Sequence, residues 1–123
     1  MTRRSWFGRL VGLALAVLPA PTAPAWAHAI VLEAEPGVDA TVAGPDVAVR
    51  IQFNSRIDHR RSRLTLLPAK GAPRTLAIDP KGGPAVLVAR ASGVADGEYA
   101  LRWQVLAEDG HITRGDIPFK VGR

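Results

Sequence analysis

Apolar and polar residues alternate along most of this chain. In DVAVRIQF (46–53), Val47, Val49, Ile51 and Phe53 fall on one side and Ala48, Arg50 and Gln52 on the other. A period of two is the mark of a strand with one face in a core. GEYALRWQVLA (97–107) repeats it, with Tyr99, Leu101, Trp103 and Val105 together. Shorter stretches of the same kind are AIVLEA (29–34), SRLTLLP (62–68), PRTLAI (73–78), AVLVAR (85–90) and DIPFKV (116–121), with the turn-rich DPKGGP before the fifth strand in chain order. No segment carries a 3.6-residue period. Seven short strands with turn signals every 8–12 residues predict an all-β domain, a seven-stranded Greek-key sandwich or barrel of immunoglobulin-like type. Trp103, in the middle of a strand, is expected to pack in its core.

One stretch breaks the alternation. LVGLALAVLPA (10–20) is continuously apolar, follows Arg3, Arg4 and Arg9, and leads into PTAPAWA, where Ala25 and Ala27 stand in a small-x-small arrangement. The run is too short to span a bilayer. Together these features predict a secretory signal peptide over residues 1–27, cleaved after Ala27, and a single domain over 28–123 with no membrane span. The arginine pair is compatible with either general or twin-arginine export. A second cut of the same kind would end at Ala25.

Processing alters the charge. The whole chain has sixteen Lys and Arg against eleven acids. The three arginines in the signal leave thirteen against eleven, a formal +2, too mild for a nucleic-acid footprint. The dense basic stretch RIDHRRSR (56–63) reads as a solvated loop or strand edge. The chain has no cysteine, and its one methionine is the initiator. An exported domain this small thus has no disulfide, and any metal chemistry must do without sulfur ligands.

Three histidines follow the predicted cut: His28, His59 and His111. His59 lies in the polar stretch NSRIDHRRS and is read as an exposed loop residue. His28 becomes the N-terminal residue. Its free α-amine and ring Nδ1 then close a six-membered chelate around one ion, and the amine, with a pKa near 8, deprotonates at modest cost. Two nitrogens from one residue plus another imidazole suit a tetragonal Cu(II) site. In AEDGHITRG (107–115), Asp109 and His111 are two apart, so in extended structure both can face one ion. Asp-Gly is also a strong turn signal, and the two roles are compatible.

On these residues the processed chain resembles the CopC family of periplasmic copper-binding proteins. The resemblance rests on His28-Ala29 at the start, Pro36 eight residues on, and the spacing of Gly97, Tyr99, Trp103, Val105, Asp109, Gly110, His111, Gly115, Phe119 and Val121 in GEYALRWQVLAEDGHITRGDIPFKV. It covers nearly all of 28–123. Ala107 stands where the family usually has serine, Ile112 where proline often follows the histidine, and PGVDA where P-x-D-G is usual. The Met-rich loop through which some relatives bind Cu(I) is missing.

The resemblance implies a monomeric periplasmic protein of copper homeostasis or resistance that is not an enzyme. It implies Cu(II) held by the amine and imidazole of His28, by His111 and by Asp109. Carriage, buffering or delivery to a CopD-type inner-membrane copper transporter would be its task. Two rival readings stand beside it: a small copper monooxygenase built on a histidine brace, and a metal-free immunoglobulin-like interaction module.

Overall fold

The computed structural model of the chain describes residues 12–20 and 28–123. The predicted signal segment and its cleavage point fall largely outside them. Residues 12–20 are in no helix or strand, with Leu13, Leu15, Val17 and Leu18 exposed. Among the described residues no helix is long and apolar enough to cross a membrane.

The strands are β1 (Val31–Glu35), β2 (Ala40–Val42), β3 (Val47–Phe53), β4 (Ile57–Pro68), β5 (Arg74–Leu76), β6 (Val86–Ala91), β7 (Gly97–Ala107) and β8 (Ile112–Val121), with one 3-10 turn at Pro80–Gly82. They form a three-stranded sheet in the order β1-β3-β6 and a five-stranded sheet in the order β2-β8-β7-β4-β5. The chain passes repeatedly from one sheet to the other, and the sheets face each other without closing into a barrel. This is a Greek-key, immunoglobulin-like sandwich.

The alternation predicted the faces. Val47, Val49, Ile51 and Phe53 are all buried, as are Leu101, Trp103 and Val105. Leu64 and Leu66 of β4 face them from a neighbouring strand, in register with Trp103 and Leu101. Each fully buried side chain of this size contributes about 1.5–3 kcal/mol relative to exposure. Trp103 meets Phe53 edge to face across the sandwich, ring centroids 5.2 Å apart.

The strand count and several boundaries differ from the prediction. Among the described residues there are eight strands rather than seven. The addition, β2, is three residues long and pairs parallel with β8, too short for a periodic pattern to register. PRTLAI shrinks to Arg74–Leu76, and DIPFKV extends back to Ile112. The largest change is in β4. It begins at Ile57, so His59 sits in a strand and not in a loop. The alternation is hidden there because the β4–β7 register shifts between Asp58 and Arg63. A bulge puts extra residues on one strand and scrambles the period of two.

Candidate metal centre

The β7–β8 hairpin ends in Glu108–His111. Its closure is local: Ala107 N–H donates to the His111 carbonyl (2.9 Å) and Gly110 N–H donates to the Ala107 carbonyl (2.9 Å). Gly110 has φ 87°, the left-handed region that glycine enters without strain. Glu108 N–H donates to the Arg56 carbonyl (3.2 Å), tying the turn to the start of β4.

Within this turn the Asp109 carboxylate grips His111 twice. Oδ1 accepts from His111 N–H at 3.0 Å, and Oδ2 lies 2.8 Å from the His111 Nδ1. The backbone hydrogen bond, then the side-chain one, hold the Asp109 carboxyl below its ordinary range, with smaller contributions from the charges of His111 and His28. Each stabilises the ionised form. Asp109 therefore stays an anion throughout the neutral range. The His111 side chain is 60% exposed and that of Asp109 32%, open to an incoming ion.

His28 approaches from the other sheet. Ala29 is buried, and Ile30 is held on both sides by Asn54, just past β3. Ile30 N–H donates to Asn54 Oδ1 (2.8 Å), and Asn54 N–H donates to the Ile30 carbonyl (3.0 Å). This clamp delivers the exposed His28 ring to 5.3 Å from that of His111, centroid to centroid, at 66°. Residues from the two ends of the domain thus meet at one mouth of the sandwich.

The three expected residues meet pairwise, His28 with His111 and His111 with Asp109. No group of three or more His, Asp or Glu among the described residues is already arranged around a point where an ion would sit. With residues ahead of it in the chain, the His28 nitrogen is a peptide amide. The His111 Nδ1 is meanwhile occupied by Asp109. The donor types fit a borderline divalent ion such as Cu(II), and the absence of sulfur disfavours Cu(I).

Sequence reasoning missed two features. Asn54, which positions His28, was legible only as a turn residue after a strand. Arg102 and Asp116 form a bidentate pair on the outer face (2.9 and 3.0 Å), visible only once β7 and β8 are in register. His59 lies apart from the hairpin pair: its Nε2 is 2.8 Å from the Val86 carbonyl, linking β4 of one sheet to β6 of the other. Replacing His59 by Ala should cost about 1 kcal/mol in urea unfolding, the net worth of one such bond, and leave metal affinity unchanged. A fall in affinity without a fall in stability would show that His59 serves the metal instead.

Comparison with known proteins agrees with this fold. The CopC domain family matches residues 31–122, a span that starts just after His28. Protein YobA of Escherichia coli K12 is 27% identical over 125 aligned positions, covering 92% of this chain and 95% of its own. Among solved structures, CopC from Methylosinus trichosporium OB3b superposes with a TM-score of 0.68 at 26% identity, covering 76% of this chain and 93% of its own. PcoC, a methionine-rich copper resistance protein from Escherichia coli, superposes at 0.66 with 22% identity, over 77% and 99%; at that identity the likeness speaks for the fold.

Proposed function

Because the chain belongs to the CopC family, we propose that it is a periplasmic Cu(II)-binding protein of copper homeostasis or resistance. In this reading cleavage after Ala27 creates the binding site. The freed amine and ring of His28 chelate the ion, His111 adds a third nitrogen, and Asp109 adds negative charge and a weaker oxygen. The observation that carries it is the meeting of His28 and His111 at 5.3 Å beside the Asp109 carboxylate. Copper is cargo here, and delivery to a CopD-type inner-membrane transporter is the task that fits an open, surface site.

The chain parts from its methionine-rich structural relative in one respect. Met1, its single methionine, lies in the segment removed by processing. Reduction should therefore release the ion, because Cu(I) is left with imidazoles alone. A monooxygenase reading is weaker, since Trp103 is buried against Phe53 and offers no aromatic platform to a polymer.

Titration of the processed protein tests the assignment. One Cu(II) per chain is expected, with Zn(II) weaker. His111→Ala should lower Cu(II) affinity by more than the 10–100-fold typical of an outer-sphere partner, and Asp109→Ala by about that range. Absence of stoichiometric binding would sink the proposal. A larger loss for His59→Ala than for His111→Ala would move the site elsewhere.

A further inference from the structure

Strand β8 is paired on both sides only at its C-terminal end. On one side β7 runs along its whole length, from Ile112 to Val121. On the other, β2 reaches only Phe119, Lys120 and Val121, and Asp39 N–H donates to the Pro118 carbonyl (2.7 Å). Among the described residues nothing pairs with that side from Ile112 to Ile117. Antiparallel pairing turns successive residues' backbone groups alternately toward and away from the partner strand. The hairpin bond between Ala107 and the His111 carbonyl sets the phase. Thr113, Gly115 and Ile117 bond to β7, and Ile112, Arg114 and Asp116 turn N–H and C=O outward. The outward Pro118 carbonyl, used by Asp39, agrees with this phase.

We propose that this edge is a docking site for an extended, acidic segment of a partner protein, which adds as a strand beside Ile112–Asp116, next to His111. Addition of a strand to an exposed edge is an established mode of peptide recognition. Domains usually blunt such an edge with proline, lysine or a bulge. Here the free stretch carries Gly115 and a 56% exposed Ile112, and no proline before Pro118.

The surroundings specify the side chains of the incoming strand. On its inward side lies a groove between β1 and β8, rimmed by the exposed Leu32 and Val38 and floored by Trp103, Gly115 and Ile117. Small apolar residues fit there. On the outward side Arg63, Gln104 and Arg114 stand in one cross-strand row. Arg102, in the next row, is satisfied by Asp116. Arg63 and Arg114 are exposed and form no ion pair among the described residues. A carboxylate opposite Arg114 would complement that uncompensated charge, with a strength that falls as salt rises. The proposal is independent of copper and is tested on the metal-free protein.

The probe is a capped hexapeptide of alternating Val and Glu, with the Val/Lys analogue as control, followed by backbone amide exchange. In the protein alone, the Ile112, Arg114 and Asp116 amides should exchange at least about tenfold faster than those of Thr113, Gly115 and Ile117. The Glu peptide should slow the first set, less so in high salt, and the Lys peptide should not. Arg114→Pro removes an outward N–H and no bond to β7, so unfolding midpoint and Cu(II) affinity should persist while the peptide effect disappears. Arg114→Glu should switch preference to the Lys peptide. Equal protection by both peptides, or none by either, would overturn the proposal. So would edge protection that rises with protein concentration alone, which would make a second copy the occupant.

Discussion

A single residue added ahead of His28 in the processed protein is expected to lower Cu(II) affinity by orders of magnitude. Every side chain stays in place. What is lost is the amine, which becomes an amide, and with it the chelate ring that joins two nitrogens at no further cost in ordering. The Asn54 clamp on Ile30 keeps the histidine ring near His111 in either form, so the comparison isolates the amine from the geometry. Competition against a fluorescent Cu(II) chelator measures the change, and intact mass confirms the terminus of each protein. If the extended protein competes as well as the processed one, the terminus is not a ligand. The same result would remove the reason to expect cleavage after Ala27 rather than after Ala25, which would leave Trp26 and Ala27 ahead of the histidine.

The second large effect is on stability. Trp103→Ala should cost about 3–5 kcal/mol in urea unfolding, the range for deleting a large aromatic from a core. Phe53 would lose its edge-to-face partner, and Leu64 its cross-strand neighbour. The site would be no better filled from β8. A Cβ on Gly115 would stand 2.7 Å from Trp103 Cζ2, so the backbone there is already pressed against the ring. Domains of this size have about 5–15 kcal/mol in all. The variant should be close to half unfolded under mild denaturant and bind copper only as far as it folds. A loss below about 1 kcal/mol would mean that the indole is peripheral to the core.

The alternating pattern by itself determined the fold class, the core faces of β3 and β7, and the burial of Trp103. A strand with one wet face has to write its burial into the sequence at every second residue. Hairpin chemistry did the same for Asp109-Gly110-His111, because a tight turn needs a glycine where φ is positive. The absence of cysteine, with Met1 the single methionine, also restricts the ligand chemistry without any coordinates. Other features belong to the tertiary structure alone. A three-residue strand such as β2 has no period to detect, and the bulge in β4 erased the period around His59. The clamp of Asn54 on Ile30, the 5.3 Å approach of His28 to His111, the Arg102–Asp116 pair and the unpaired edge of β8 all depend on which strands become neighbours and in what register. Local propensity carries no record of that choice; it is made when both sheets bury their apolar faces against each other at once.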